Sequence, residues 1–504
     1  MLKRFAILLA LLPTLLSAIA QAPSPESKLS SGQEAFRTGR FQEAIEAYKA
    51  VLERDPSSAS AHSGLIRSLL KSHMVESAQE AADRALQTAP RSALVQSAAG
   101  DVYFRSADLP AAEMTYKAAI GLDGRLGRAW LGIGRVFRTA AMRKTAHLYF
   151  QRAYELDPND PEIIFRQAMG ARTSAERIRL LEQYLELGLN EDPDALTGAR
   201  NGVALWKNLG DRKTFTLASP YQKAELDLVN VGENPRKPWA FGLRVTLNGK
   251  RTEWLLLDTG ASGISISPGT ASRIGAVVLS NVSVLGIGDR GIQVGQTSIL
   301  DTVRIGPVEF RDAIVTISEK QPPGISGIIG ADVFNDFLVT IDIPRMKLRL
   351  MPHPAGKSGD ELTDREITDG NRSFTSAFSF GSHMMIPVSV NDSDPMLFLI
   401  DTGAFDNLLS EKKARTVSKV RNDDRLDLQG LSGRIKDVFT VDRAVIRFAS
   451  FQQRNQDVVA FNFDALNKSF GIEMSGILGL SVLKLMSITI DYRNGLIDFK
   501  PSSR

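Results

Sequence analysis

The hydrophobic pattern of the first 210 residues is helical and recurs at a fixed interval. Three kinds of position return every 34 residues: a small residue, an aromatic or small residue, and a helix breaker. They are Ala44, Ala78, Ala112 and Ala146; Tyr48, Ala82, Tyr116 and Phe150; and Pro56, Pro90, Gly124 and Pro158. A small residue lets two helices approach closely, the aromatic ring fills the space beside it, and the breaker ends the second helix. The period therefore predicts consecutive helix–turn–helix units over residues 32–210.

Past residue 215 the pattern changes from helical to extended. Alternating Val, Ile, Thr and Leu with frequent glycine are typical of strands and hairpins. The stretch from Phe241 to Leu257 contains an Asn248-Gly249 turn signal, and it runs directly into Asp258. We therefore expect residues 236–504 to be all-β.

The β region contains a duplication of its own, in which each copy ends an apolar strand on the same triplet. The copies are Leu255-Leu-Leu-Asp258-Thr259-Gly260-Ala261 and Phe398-Leu-Ile-Asp401-Thr402-Gly403-Ala404. Later segments also match, and they are Gly327-Ile-Ile-Gly330 and Gly476-Ile-Leu-Gly479. One Asp-Thr-Gly triplet should arise by chance in roughly one chain in ten of this length. Two triplets in the same setting indicate a duplicated lobe.

These patterns divide the chain into a multidomain arrangement. The expected ranges are a signal peptide (1–20), a linker (21–31), helical repeats (32–210), a linker (211–235), a first β lobe (236–352), an interlobe linker (353–373) and a second β lobe (374–504). The N-terminus has Lys3 and Arg4, an apolar run and small residues up to Ala20, which is typical of a cleaved secretory leader. The apolar run is shorter than the roughly 20 residues of a bilayer span. We therefore expect a periplasmic or secreted protein without a stable membrane span once the leader is removed.

Composition narrows the chemistry further. The chain has no cysteine, which excludes disulfides, thiolate metal sites and cysteine nucleophiles. The 5 histidines show no metal-ligand spacing, so neither a metal nor a cofactor is expected. The formal net charge of +4 is small and its signs are mixed along the chain, which disfavours nucleic-acid binding.

Two resemblances follow from these motifs. The helical stretch resembles tetratricopeptide repeats, and residues 236–504 resemble the pepsin and retropepsin families of aspartic peptidases. The second resemblance implies two lobes around a pseudo-twofold axis, with Asp258 and Asp401 meeting at its centre as the catalytic pair. It also implies that the two active loops are cross-linked and closely apposed through supporting residues, which are Thr259, Gly260, Thr402 and Gly403. The expected fold is thus an N-terminal all-α solenoid followed by an all-β bilobal aspartic-protease fold.

The sequence between the first triplet and Gly330 departs from the pepsin pattern, because it contains no tyrosine. It does contain Gly286-Ile287-Gly288-Asp-Arg-Gly291, which fits the glycine spacing of dinucleotide sites. No helix follows it, so it lacks the helix N-terminus that such a site needs. We interpret Gly286, Ile287 and Gly288 as a candidate flap, with Gln429 to Gly433 as its counterpart; a plain surface hairpin is the alternative.

Two functional hypotheses from different classes follow. The first is an exported aspartic endopeptidase that acts as a monomer, since one chain supplies both triplets, with the repeats docking peptide or protein substrates or partner proteins. The second is a non-hydrolytic peptide-binding scaffold with a protease-like fold. The two intact triplets favour the first hypothesis. A purely structural repeat protein would leave the second duplication unexplained.

Overall fold

The computed structural model describes residues 25–188, 191–218, 222–231, 240–288, 291–322, 324–353, 362–422, 428–435 and 437–501. The signal peptide expected at 1–20 lies outside these ranges. The linker expected at 21–31 is described from residue 25 onward, and there it already belongs to the first helix.

Helices account for most of the described residues up to 210. They are α1 (Pro25–Arg37), α2 (Phe41–Leu52), α3 (Ala59–Lys71), α4 (Val75–Thr88), α5 (Ala93–Arg105), α6 (Leu109–Leu122), α7 (Gly127–Thr139), α8 (Arg143–Leu156), α9 (Pro161–Gly170), α10 (Ser174–Leu187) and α11 (Pro193–Leu209). Pro56 and Pro90 lie in the turns between consecutive units, where a proline cannot disturb a helix interior. The expected helix–turn–helix organisation is confirmed.

The repeating small and aromatic positions form the core of this solenoid. The side chains of Ala44, Ala78, Ala112 and Ala146 are all fully buried. Tyr116 is fully buried as well, and its ring lies directly against the backbone of α7 at Gly132. A Cβ atom placed on Gly132 would lie 2.1 Å from Cε1 of Tyr116. The glycine is therefore required by the close approach of the ring.

This packing predicts that two glycine substitutions have opposite effects on the free energy of unfolding. Gly132→Ala should lower the free energy of unfolding by about 1–3 kcal/mol, because the added methyl overpacks the space that Tyr116 fills. Gly198→Ala is the matched control, since a Cβ at this helical glycine has nothing within 4 Å. It should raise stability by about 0.5–1 kcal/mol through helix propensity. Urea denaturation of both variants checks this, and equal effects would contradict the packing described.

The first β lobe begins within the range expected to be a linker. Its strands are β1 (Thr216–Leu217), β2 (Ala224–Asp227), β3 (Val229–Val231), β4 (Ala240–Leu247), β5 (Arg251–Asp258), β6 (Ile264–Ile266), β7 (Val277–Val284), β8 (Gln293–Ile305), β9 (Val308–Ile317), β10 (Gly327–Gly330), β11 (Phe337–Asp342) and β12 (Lys347–Pro352). A short helix, α12 (Pro268–Ile274), and a 3₁₀ helix (Ala331–Phe334) complete the lobe among the described residues.

The second lobe repeats this order. Its strands are β13 (Thr375–Ser376), β14 (Phe378–Phe380), β15 (His383–Val390), β16 (Met396–Ile400), β17 (Leu408–Ser410), β18 (Val420–Asn422), β19 (Leu428–Gly430), β20 (Gly433–Ile435), β21 (Phe439–Phe448), β22 (Phe451–Phe461), β23 (Gly476–Leu478), β24 (Met486–Asp491) and β25 (Leu496–Pro501). Its helices are α13 (Glu411–Val417), α14 (Asp464–Phe470) and α15 (Leu480–Leu483).

Each lobe contains a closed barrel of six strands. In the first lobe the ring runs β4-β5-β10-β6-β9-β8 and closes because β8 pairs with β4. In the second lobe the equivalent ring is β15-β16-β23-β17-β22-β21, closed by pairing of β21 with β15. Ring closure leaves the barrel strands no free edge, and apolar side chains of both lobes form one continuous core. The predicted bilobal all-β fold is confirmed.

A separate 6-stranded sheet joins the lobes, in the order β13-β25-β24-β11-β12-β2. Its centre is the antiparallel pair of β11 and β24, one strand from each lobe. The edge strand β2 and the barrel-paired strands β1 and β3 all lie in the range 211–235, which we expected to be a linker. That expectation is corrected: the range adds strands to both sheets. Its strands are only 2 to 4 residues long, too short for a periodicity to show.

None of the helices in the described ranges is long and apolar enough to cross a membrane.

Candidate active site

The two triplets lie at corresponding places in the two barrels. Asp258 is the last residue of β5, which runs parallel to β10 in the register Asp258↔Gly330. Asp401 directly follows β16, which runs parallel to β23, and its backbone N–H donates to the carbonyl of Leu478 at 3.0 Å. Each triplet therefore emerges between two central barrel strands, so its position is determined by the barrel and not by a surface loop.

Two threonines join the triplets by reciprocal hydrogen bonds. The backbone N–H of Thr259 donates to Oγ1 of Thr402 at 3.1 Å, and the backbone N–H of Thr402 donates to Oγ1 of Thr259 at 3.0 Å. Each hydroxyl also donates across the interface, Thr259 to the carbonyl of Ile400 at 2.8 Å and Thr402 to that of Leu257 at 2.9 Å. Both threonines are buried. These four bonds are the cross-link that the family resemblance implied.

The glycine of each triplet packs against the carboxylate of the other. A Cβ atom on Gly260 would lie 2.5 Å from Cγ of Asp401, and one on Gly403 would lie 2.5 Å from Cγ of Asp258. Any side chain at either position would push the two carboxylates apart. The structure thus brings together Asp258, Asp401 and the four supporting residues predicted from the sequence.

The carboxylates are held in different hydrogen-bond environments. Oδ1 of Asp258 accepts the backbone N–H of Gly260 at 2.7 Å. Oδ1 of Asp401 accepts two backbone N–H groups, Gly403 at 2.8 Å and Ala404 at 3.0 Å. The two aspartates are also hydrogen-bonded to each other. The N–H of Gly403 also favours the charged form of Asp258, so both carboxylates are supported by backbone donors.

The pKa values of the pair move with this geometry. Burial raises the pKa of Asp258 well above its usual range, and the adjacent Asp401 carboxylate raises it further. Burial also raises the pKa of Asp401, but the hydrogen bond from Asp258 and the N–H groups of Gly403 and Ala404 oppose that rise. The pair therefore keeps one shared proton and titrates as a unit.

The raised pKa of Asp258 predicts a pH-dependent effect of Asp258→Asn on stability. Above about pH 4 the unfolded aspartate ionises, whereas the folded one keeps its proton, so the free energy of unfolding of the wild type falls as the pH rises. Asparagine removes this penalty. The stability of the variant relative to the wild type should therefore increase between about pH 4 and pH 7. Thermal unfolding across that range measures it, with Asp369→Asn as the exposed control; a constant difference would contradict the raised pKa.

The reciprocal threonine bonds predict a large effect for Thr402→Val. The two side chains have nearly the same shape, but valine leaves the N–H of Thr259 and the carbonyl of Leu257 without partners. Each buried unpaired group should lower the free energy of unfolding by about 1–3 kcal/mol. Thr252→Val, at an exposed strand threonine, is the matched control. Denaturant unfolding that gave the same small change for both variants would show that the cross-link does not stabilise the lobes.

The candidate flap residues lie where hairpins from the two lobes meet. The backbone carbonyl of Ile287 accepts the N–H of Ser432 at 2.9 Å. A Cβ on Gly288 would lie 2.4 Å from the N atom of Gly433, and one on Gly430 would lie 2.0 Å from the O atom of Ile287. The hairpin that we paired with the candidate flap by sequence is thus in contact with it. Its role as a flap stays a prediction.

Two supporting residues were missed in the sequence. Asp332 accepts the N–H of Gly263 at 2.9 Å and the hydroxyl of Ser262 at 3.0 Å, which holds the loop after the first triplet. Ser481 accepts the N–H of Asn407 at 3.0 Å and does the same after the second. Both follow the second glycine of the Ile-Ile-Gly or Ile-Leu-Gly segment by two residues, so the duplication itself could have revealed them. Burial raises the pKa of Asp332, although the Gly263 N–H opposes this.

Among the residues that the structure describes, no group of three or more histidines, aspartates or glutamates is arranged to hold a metal ion.

Comparison with known proteins agrees with this site. A family model described as Aspartyl protease matches residues 243–333 and 386–482, and a model described as Tetratricopeptide repeat matches residues 35–102. The first match includes both triplets and both Ile-Ile-Gly or Ile-Leu-Gly segments. The chain therefore carries an aspartyl protease domain within residues 243–482, behind tetratricopeptide repeats at residues 35–102.

Similar solved structures are repeat proteins. A thermophilic tetratricopeptide-repeat protein of Thermus thermophilus is 20% identical, with 36% of this chain and 99% of that chain covered and a TM-score of 0.30. The pilF protein of Pseudomonas aeruginosa is 21% identical, with 36% and 87% covered and a TM-score of 0.25. Scores this low support no inference about the present chain. A search of curated proteins returns no match.

Proposed function

We propose that the protein is an exported aspartic endopeptidase that hydrolyses peptide bonds with the Asp258–Asp401 pair. The observation that carries the proposal is the pair itself: two hydrogen-bonded carboxylates, each backed by the glycine of the opposite triplet and joined by four threonine bonds. A structural ion pair would need a cation beside the carboxylates. Two like charges in one partly buried site serve no stability, since each raises the cost of ionising the other.

The proposed mechanism starts from a pair that shares one proton, with Asp401 as its charged member and Asp258 as its protonated member. Asp401, which carries the charge, takes a proton from a water molecule, and the resulting hydroxide attacks the carbonyl carbon of the peptide. Asp258 gives its proton to the carbonyl oxygen, so the intermediate is an uncharged diol. Asp401 then passes its proton to the leaving nitrogen while Asp258 takes one from the diol. The C–N bond breaks, and an amine and a carboxylic acid result.

One chain is sufficient for this chemistry, because both triplets and the sheet that joins the lobes belong to it. We also propose that the repeats dock a substrate or a partner protein. Residues of α1, α3, α7, α9 and α10 line a cavity of about 340 Å³, with charged side chains that include Arg67, Arg128, Glu162 and Glu186. A cavity of that character favours a polar, charged segment over an apolar one. We propose export to the periplasm or exterior because the N-terminal pattern is typical of a secretory leader.

A non-hydrolytic peptide-binding scaffold is the second candidate. It would use the same cleft and the same hairpins without chemistry. The hydrogen bonds to Asp258 and Asp401 favour the enzyme, because a scaffold has no need to keep two carboxylates in contact at the energetic cost that this entails.

Cleavage assays separate the two candidates. The mature wild-type protein should cleave members of a diverse peptide mixture between about pH 3 and pH 7, and a pepstatin-type inhibitor should stop it. Asp258→Ala and Asp401→Ala should each lower kcat by at least about a thousandfold, since each removes one half of the proton relay. Asp301→Ala, at an exposed aspartate on β8, is the control and should keep wild-type activity.

The outcomes are distinct. If the wild type binds peptides and the inhibitor but cleaves nothing, the scaffold is correct and the peptidase proposal is wrong. If either alanine variant keeps full activity, the assignment of the pair is wrong even for a true hydrolase.

A further inference from the structure

Arg105 is the last residue of α5, in the third repeat, and both its backbone and its side chain contact the second lobe. The backbone carbonyl of Arg105 accepts the N–H of Glu473 at 2.7 Å. The last carbonyls of a helix have no partner within the helix, so this bond satisfies one of them with the protease domain. In return, Nη2 of Arg105 lies 3.3 Å from Oε1 of Glu473. The two side chains are only 13% and 12% exposed, so water screens their attraction weakly.

Asn467 is hydrogen-bonded to both Arg105 and Glu473. Its backbone carbonyl accepts Nη1 of Arg105 at 2.7 Å, and its amide donates to Oε2 of Glu473 at 3.0 Å. Its side-chain oxygen accepts the N–H of Met474 at 2.9 Å. Lys412 adds a second cation 3.7 Å from Glu473, and it also pairs with Glu76 of α4. The bonds of Arg105 therefore tie a helix of the repeats to the segment 467–474, and the bonds of Asn467 within that segment hold Glu473 in position.

That segment leads directly to the second catalytic aspartate. Glu473 stands three residues before Gly476, the first residue of β23. This strand pairs in parallel with β16, and its last residue, Leu478, accepts the backbone N–H of Asp401 at 3.0 Å. Leu478, whose carbonyl holds the Asp401 backbone, thus lies only five positions beyond Glu473, which is bonded to α5.

The first lobe supports its aspartate differently. The position equivalent to Glu473 is Gly324, and there the chain closes on itself through the N–H of Ile325, which donates to Pro322 at 3.1 Å. The next backbone hydrogen bond along the chain is also longer in the first lobe than in the second. Ser326 donates to Trp254 at 3.4 Å, whereas the equivalent Ser475 donates to Leu397 at 3.0 Å. At this duplicated position the first lobe therefore forms a local turn, whereas the second lobe is bonded to the helical repeats.

Repeat position alone does not account for Arg105. The basic residues Arg37, Lys71 and Arg105 end α1, α3 and α5 at the 34-residue spacing, as expected for cations at helix C-termini. Arg37 pairs with Glu34 of its own helix, and its side chain is 64% exposed. Arg105 instead lies in the interface with the second lobe, next to an apolar cluster in which Phe104 and Leu109 pack with Met385 and Leu399.

We infer that Arg105 is a positioning residue for Asp401: through Glu473 and β23, the third repeat holds the second half of the catalytic pair in place. The repeats are then part of the support of the active site, in addition to any docking role. The expected change in cleavage rests on the proposed peptidase function. The expected change in the structure around Asp401 rests on the interface alone.

Arg105→Ala in the full-length mature protein tests the inference by two readouts. The first is hydrogen exchange. Peptides that cover 397–401 and 474–480 should exchange faster than in the wild type, while those that cover 254–258 and 327–331 should be unchanged. The second is cleavage. The value of kcat should fall by roughly tenfold to a hundredfold, as expected for a misplaced reacting group, with KM within about twofold of the wild type.

Arg152→Ala is the control, because it removes an exposed arginine of the repeats that pairs with Glu155 of its own helix and lies outside the cavity, and neither readout should change. Glu473→Gln keeps the shape and removes the charge, so it should reproduce the effect of Arg105→Ala in part. It also provides the test if Arg105→Ala does not fold. Unchanged exchange around Asp401 in both variants overturns the inference. A wild type that cleaves nothing refutes the peptidase proposal instead, and the exchange readout still decides this one.

Discussion

The exchange of hydrogen bonds between Thr259 and Thr402 is the constraint on which the active site depends. Each threonine gives its N–H and its hydroxyl to the opposite lobe and accepts one N–H in return, in a buried setting where an unpaired group would be costly. With the loops joined in this way, Gly260 and Gly403 can lie against the opposing carboxylates. The shared proton and the raised pKa of Asp258 both follow from that approach.

The rest of the chain maintains this contact from two sides. The sheet that pairs β11 with β24 joins the lobes directly. The solenoid joins them from outside, since Asn208 of α11 donates to the carbonyl of Leu279 on β7 of the first lobe at 2.7 Å, and Arg105 anchors the second lobe. An apolar cluster and a largely buried ion pair pack the repeats against the protease domain at this interface.

The helical repeats and the two lobes could be predicted from the sequence, because a pattern that recurs at a fixed interval can be recognised without a structure. The 34-residue interval predicted the helices, and the duplicated triplets predicted the lobes and the six residues at their contact. The strands at 211–235 could not be predicted, since segments of two to four residues carry no periodicity and their partners lie far along the chain. The role of Arg105 in the interface could not be predicted either. By sequence it is one more cation at a helix end, and only the position of Glu473 gives it another role.

A crystal structure of the protein with a pepstatin-type inhibitor tests the central claim most directly. The hydroxyl of such an inhibitor imitates the tetrahedral intermediate. If the account is correct, it will lie within about 3 Å of carboxylate oxygens of both Asp258 and Asp401, in the place of the attacking water. An inhibitor that contacts only one of the two aspartates, or that binds away from them, would contradict the claim that the two triplets form one site.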